Sequence, residues 1–488
     1  MRTPFLASLR TLAAAVAVAA LWACGGESSP PAPRILNINN STAPASPVGL
    51  SVEINGSDFQ SAPGRVEFAQ GGNVAEVTPE AAGWSPTGVI AVVPSGGSGG
   101  AFTVPGVVTV AVVTSGGRSN LVDLELVTVP VFSVENVQWT TTTPLPVALR
   151  GLGAVAVPGD PDDPSSAWVV VAGGNDGDAN VDAVHANSIA QDGSLGASWT
   201  ATTSLPAPRA HHAMVVAHPG NSPVASGSRV VYVIGGQESA ADAPGGSDAV
   251  LAASVSLEDG TVASWTAQTS LPQGLVAPAA TVYNGHLYVV GGLRADGNPS
   301  AAVYSAPIRS DGALGSWTAS ANAYPAAVSF ATAFGFGGNL YVLGGDTVAS
   351  TDPNEQGSAG TKTVRRAPIR SGSVGPWVGQ EEIVKQRKKH VTWTAFGQTI
   401  AAEGVYEGAP GSLELERSAI QADGSFAAWN GITSTTNQIG ANVYNAAAVV
   451  SPIRPPSGGP RFLLLGGQGF AIVPPGAPSA AVYRNTAP

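Results

Sequence analysis

Apolar residues in this chain arrive in short runs. Beyond residue 34 these last five to eight positions, are rich in Val, Thr, Tyr and Trp, and stop at Gly, Pro, Asn or Asp. Nowhere do they recur at three-to-four spacing over a long stretch, as the buried stripe of an amphipathic helix would. The pattern predicts an all-β protein of many short strands and tight turns, with almost no helix. Between residues 34 and 128 the runs at 49–54, 65–68, 88–93, 107–113 and 121–127 alternate with turn signals. That rhythm, over roughly a hundred residues, predicts a small β-sandwich.

From residue 130 to 488 the pattern repeats. Trp139, Trp199, Trp265, Trp317, Trp377 and Trp429 recur at intervals of 60, 66, 52, 60 and 52 residues. Between them stand apolar strands ending in Gly173-Gly174, Gly235-Gly236, Gly291-Gly292, Gly344-Gly345 and Gly466-Gly467, with a degenerate instance at Ala402-Glu403-Gly404. Asp-Gly turns precede several of the tryptophans, as in the stretches 308–317 and 420–429, and Asp-Gly between strand-like runs is a strong hairpin signal. Each period therefore holds four strands. Ala480-Ala481-Val482-Tyr483 echoes Ala301-Ala302-Val303-Tyr304, so the last unit lacks its Trp strand. The run 134–142 is surplus at the start and is expected to complete that unit.

These marks are similar to the kelch family of β-propellers, and the resemblance implies a six-bladed propeller closed by its N-terminal strand, with the tryptophans covering the seams between blades. The segment 34–128 resembles the IPT/TIG family of immunoglobulin-like domains. It does so through Ile54-Asn55-Gly56-Ser57-Asp58-Phe59, Val66-Glu67-Phe68, Ile90-Ala91-Val92-Val93-Pro94 and Gly117-Arg118-Ser119-Asn120. That resemblance implies a spacer, with direct adhesion by its loops as the alternative.

At the N-terminus, Arg2 and Arg10 precede an apolar run over 12–22. It is about half of the roughly 20 apolar residues that span a bilayer, which makes it an export signal rather than a membrane span. Leu21-Trp22-Ala23-Cys24 resembles the lipobox of bacterial lipoproteins, which implies a signal peptide over 1–23, acylation of Cys24 and a Ser/Pro-rich tether over 24–33. By the same analogy Gly25 favours the outer membrane. An ordinary secreted protein is the other reading. Loss of 1–23 leaves 20 basic against 33 acidic residues, a net charge of −13, so nucleic acid is not an expected partner. Cys24 is the chain's single cysteine, which excludes intramolecular disulfides, cysteine-based zinc sites and the cysteine–tyrosine copper chemistry of galactose oxidase-like propellers.

Loop alternation in a four-stranded unit sends the Asp-Gly hairpins to one face. The loops after Gly-Gly and between units go to the other. The second face is expected to present Arg150, Arg209, His211 and His212 beside a central channel, with Lys385, Arg387, Lys388, Lys389 and His390 as a positive patch suited to a carboxylate, phosphate or acidic sugar. A solvated loop explains the same patch. Adjacent strand residues point to opposite sides, so at most one of His211 and His212 is expected to face the channel. Asp176, Asp178, Asn180 and Asp182 place oxygens at alternate positions, as calcium ligands do, although Val181 stands where that motif has Gly; polar turn residues account for them as well. No other cofactor is implied. The leading expectation is a surface module that binds a glycan or another protein and meets the membrane through its lipid alone. The alternatives are a purely structural envelope protein and a sugar-processing enzyme similar to six-bladed sialic-acid mutarotases, with Arg209 and His211 or His212 as acid–base groups. Leu275, Ala327 and Asn442, where charged partners would be expected, count against the enzyme.

Overall fold

The computed structural model describes residues 30–39, 44–127, 138–159, 166–225, 227–239, 245–350, 352–353, 360–395, 397–405, 415–421, 423–432, 443–453, 460–469 and 478–486. Residues 1–29, with the export signal and Cys24, lie outside them. The protein is all-β, and among the described residues its helical content is one 3-10 turn at Ala81–Gly83. None of these residues forms a helix long and apolar enough to cross a membrane.

The described residues between 34 and 126 form two main sheets and a two-stranded hairpin of Gly96–Gly97 with Gly100–Ala101. One has the strand order Arg34–Ile38, Ser51–Ser57, Gly88–Val92, Trp84–Ser85. The other runs Ala45–Ser46, Val122–Leu126, Gly106–Thr114, Arg65–Gln70, Asn73–Val77, with Gly117–Arg118 paired to the long central strand. Alternate residues turn inward from both sheets, and Ile38, Ile54, Phe68, Val110, Leu124 and Leu126 are fully buried between them. At about 1.5–3 kcal/mol for each such side chain, this shared core holds the sheets together. The five strands expected from sequence are present. Arg34–Ile38 was not legible because a register shift between Ile35 and Asn37 breaks its alternation.

Six small antiparallel sheets follow. Each begins with a strand preceded by a left-handed residue: Gly153–Pro158, Ala213–Ala217, Ala279–Tyr283, Thr332–Phe336, Val391–Ala395 and Ala447–Val450. Five of these sheets are built from consecutive strands. The sixth pairs Ala447–Val450 with Phe462–Leu465, that strand with Val482–Thr486, and the last with Gln138–Thr141. Each first strand neighbours the first strand of the next sheet, and Ala447–Val450 neighbours Gly153–Pro158.

Five of the six repeat tryptophans tie successive sheets at their outer edges. The indole N–H of Trp199 donates to the Thr143 carbonyl (3.4 Å), Trp265 to Thr203 (3.0 Å), Trp317 to Thr269 (2.8 Å), Trp377 to Asn322 (3.1 Å) and Trp429 to Glu381 (3.0 Å). Each acceptor lies just beyond the preceding tryptophan. The Asp-Gly turns add a second tie: Tyr232 donates to the Gly312 carbonyl and Tyr341 to that of Gly424, both at 2.6 Å.

The Gly-Gly pairs tie the sheets nearer their inner edges. Both glycines take positive φ, for example 59° and 106° at Gly173 and Gly174, a conformation strained for any residue with a Cβ. The second glycine then donates to a carbonyl of the neighbouring sheet: Gly174 to Arg209, Gly236 to Leu275, Gly292 to Val328, Gly345 to Arg387 and Gly467 to Leu149, at 2.8 to 2.9 Å. Glu403 and Gly404 hold the same backbone shape, with φ of 59° and 90°. The degenerate instance thus keeps the backbone shape of the others.

Candidate functional site

Two residues before each first strand lies a residue with left-handed backbone: Gly151, His211, Ala277, Phe330, Lys389 and Asn445, with φ between 50° and 58°. Their peptide groups join head to tail. His211 N–H donates to Gly151 O (2.7 Å), Ala277 to His211 (2.7 Å), Phe330 to Ala277 (3.1 Å), Lys389 to Phe330 (3.2 Å), Asn445 to Lys389 (3.2 Å) and Gly151 to Asn445 (2.8 Å). The six hydrogen bonds close a cycle. Its members, with the next residue of each sheet (Leu152, His212, Pro278, Ala331, His390 and Ala446), line a single opening of about 150 Å³.

Four of the residues singled out in the sequence meet here: His211, His212, Lys389 and His390. Both histidines border the opening, but their rings take different places: that of His211 packs on Gly151, and that of His212 packs on Gly153 and Gly173 of the preceding sheet. Phe330 and Asn445 were missed; their sequences carry no motif, but a fixed offset from each first strand marks them.

The remaining basic residues are placed elsewhere. Arg150 is buried, and its Nε donates to Asn175 Oδ1 (3.0 Å). Arg209 is buried, donates from Nη1 to the Gly235 carbonyl (2.9 Å) and pairs through Nη2 with Glu238 (3.2 Å). Burial lowers the Arg209 pKa from its ordinary value, and Glu238 offsets part of that. Arg387 is fully buried with Glu416, Nη2 to Oε1 at 2.9 Å, and Lys388 is buried in an ion pair with Asp346. The expected positive patch is therefore not a free cationic surface. A charge taken out of water needs a partner, and Arg387 and Lys388 find theirs inside the sheets, while Lys385 is half-buried above them with its backbone N–H on Glu416 Oε1. In the fourth sheet the counterpart of Arg209 is Val328 rather than Ala327, since Gly292 donates to Val328 as Gly174 does to Arg209. Leu275 is the third-sheet counterpart and is buried; Asn442 lies outside the described residues.

Around the opening, Lys389 Nζ stands 4.8 Å from the Phe330 ring centre and 5.8 Å from that of Tyr444, close enough for attraction to the ring faces. His390 Nε2 lies 3.2 Å from Thr332 Oγ1, which in turn contacts Thr392 Oγ1 at 2.6 Å. Burial lowers the His212 pKa to about 3, reinforced by the nearby charges of Arg209 and His211. Burial and Arg387 lower that of His390 to about 3 as well. Both rings are neutral at physiological pH.

The calcium candidates do not converge. Asp176 Oδ1 accepts from the N–H groups of Asp178 (2.9 Å) and Ala179 (2.8 Å), bonds that lower its pKa. Asn180 accepts from Asn175 and donates to the Gln237 carbonyl, while Asp178 and Asp182 are exposed. Among the described residues no group of three or more His, Cys, Asp or Glu side chains is placed to hold a metal ion. The alternate oxygens serve a turn, as polar turn residues do.

No family model matches this sequence, and no curated protein matches it. Among solved structures, one titled "Structure of YjhT" aligns at 14% identity and a TM-score of 0.47, covering 70% of this chain and 96% of that one.

Proposed function

We propose that this chain is a lipid-anchored binding protein of the bacterial cell surface. In this reading residues 1–23 direct export, Cys24 carries the acyl chains at the outer membrane, 24–33 form a tether and 34–128 form an IPT/TIG-like spacer. Residues 130–488 are a six-bladed kelch-type β-propeller closed by its N-terminal strand, and the opening at His211, His212, Phe330, Lys389, His390 and Asn445 meets a glycan or a surface protein. The observation that carries the reading is the cycle of six backbone hydrogen bonds from Gly151 to Asn445. It holds polar side chains from several sheets around one opening on a rigid frame, which is how binding sites are positioned. Binding is favoured over catalysis because His212 and His390, with pKa values near 3, are poorly matched to proton transfer near neutral pH.

Glycan and extracellular-protein arrays probed with the protein lacking residues 1–33 test this. A hit whose retention falls at least tenfold on Phe330→Ala and Lys389→Ala, with thermal unfolding preserved, is the expected result. A hit indifferent to both substitutions would place the working surface elsewhere.

A further inference from the structure

We infer, on the reading of Cys24 as acylated, that one corner of the N-terminal sandwich, with Leu36 and Leu121 at its surface, rests on the lipid surface that holds Cys24. The folded protein then adds a contact of its own to the acyl anchor.

Among the described residues eight large apolar side chains are left in water, and the two largest are leucines: Leu36 is 61% exposed and Leu121 50%, while the others are valines. Both leucines belong to one corner. The Asn120 side chain accepts from the Ile35 N–H at 2.8 Å and donates to the Ile35 carbonyl at 3.1 Å, so Leu36 and Leu121 each follow a residue of this doubly bonded pair. Local structure leaves them outside. Ile35 and Ile38 are buried in the sandwich, and the register shift between Ile35 and Asn37 falls at Leu36. Leu121 stands just before the strand Val122–Leu126, whose Leu124 and Leu126 fill the core. Neighbouring exposed leucines form the kind of patch that meets another apolar phase.

The tether says what that phase is. It enters at the same corner: the Pro30 and Pro31 carbonyls lie against Gly116, where a Cβ would collide with them, in the turn that leads to Asn120 and Leu121. Six residues, 24–29, separate Cys24 from Pro30. At full extension they reach about 20 Å, so an acylated Cys24 keeps this corner within that distance of its anchor whatever path they take. Two leucines alone would hold a free protein on a bilayer only fleetingly, as a single weak signal does. On so short a tether the contact is intramolecular, and its effective concentration is high. Charge sets the limit of the contact. Arg34, exposed two residues before Leu36, can keep its guanidinium among headgroups while its stem lies along the apolar side. Asp123 and Glu125, exposed further along the strand that follows Leu121, need water, so the contact is shallow and confined to the corner.

The acylated chain in phosphatidylcholine vesicles that carry nitroxide-labelled lipid tests this. Cys24 is the single cysteine, so with its thiol acylated the variants Leu36→Cys, Leu121→Cys and Glu125→Cys each offer one site for a thiol-directed fluorophore. Labels at 36 and 121 are expected to be quenched about threefold more than the label at 125, as a shallow interfacial contact requires, and Leu36→Ser should lower the quenching at 121. Equal quenching at the three positions of an acylated chain, or quenching at 121 indifferent to Leu36→Ser, would overturn the contact and leave the anchor standing. A mature chain whose mass shows no acyl group on Cys24 would sink the anchor and the contact together.

Discussion

Trp139 lies directly opposite Asn485 in the antiparallel register that joins Gln138–Thr141 to Val482–Thr486. This pairing brings residues from opposite ends of the repeat region into one sheet. Asn485 is fully buried and grips the strand on its other side: its Oδ1 accepts from the Phe462 N–H (2.6 Å) and its Nδ2 donates to the Pro460 carbonyl (3.0 Å).

Removal of that amide leaves a buried donor and a buried acceptor without partners. Asn485→Ala is therefore expected to destabilise the protein by about 2–6 kcal/mol, the sum of two unsatisfied groups at about 1–3 kcal/mol each. Asn485→Asp keeps the acceptor but buries a carboxylate against the Pro460 carbonyl, and is expected to be at least as destabilising as alanine near neutral pH. Urea unfolding followed by tryptophan fluorescence checks the order, and an alanine variant as stable as the parent would show that the sixth sheet does not depend on this residue.

Arg387 and Glu416 form a second buried joint. Glu416 accepts from Arg387 Nε and Nη2 and from the backbone N–H groups of Val384 and Lys385. Glu416→Gln keeps the shape and removes the buried counter-charge that Glu416 supplies to the guanidinium, so a loss of about 3–5 kcal/mol is expected. The pair Arg387→Met with Glu416→Gln removes the guanidinium charge while one oxygen remains for the backbone. The double variant should be more stable than Glu416→Gln alone, and additive losses in the cycle would refute the coupling.

Much of this architecture was legible in the sequence because it rests on residues that do one thing only. Gly173-Gly174 and its counterparts mark a doubly left-handed turn that few other residues tolerate, and the tryptophans mark a seam that needs both a large ring and an N–H. The opening was only half legible. Its six left-handed residues are Gly, His, Ala, Phe, Lys and Asn, a set with no common chemistry, because each is held in that conformation by the backbone cycle rather than by its own preference. Charge was misread for a related reason: Lys385 to His390 is a basic string in sequence, but the partners that neutralise Arg387 and Lys388 are Glu416 and Asp346, distant residues that only the folded sheets bring near.

Buried histidines set a pH dependence. The pKa values of His212 and His390 are lowered to about 3 and that of His218 to about 4, in each case chiefly by burial, against an unfolded value of about 6.5. The unfolded chain thus takes up protons that the folded chain refuses as the pH drops below about 6.5. Stability from these groups is complete above that pH and is lost progressively toward pH 4 and below, with a limiting slope of about 1.4 kcal/mol per pH unit for each histidine. Unfolding free energies measured between pH 7 and 4.5 should show this decline, and His390→Gln should flatten it by about one proton's worth. An unchanged slope in that variant would mean the ring is protonated in the folded state.

Glu53 links the N-terminal sandwich to the sheets that follow. It is 3% exposed; its Oε2 accepts from Asn284 Nδ2 and its Oε1 from the Ser371 backbone N–H, both at 2.9 Å. The two donors sit in the turns after Ala279–Tyr283 and Val364–Arg370, so a single carboxylate fastens two sheets to the sandwich. Glu53→Ala leaves both donors without this acceptor, and the Ser371 amide, having lost its bond, should exchange with deuterium at least tenfold faster. Glu53→Gln is expected to be mild, because one oxygen still serves Ser371 and Asn284 can turn its amide to accept from the new N–H₂ group. Hydrogen exchange at Ser371 reads the contact directly, apart from global stability, and equal protection in all three proteins would show that the sandwich is held by its apolar neighbours instead.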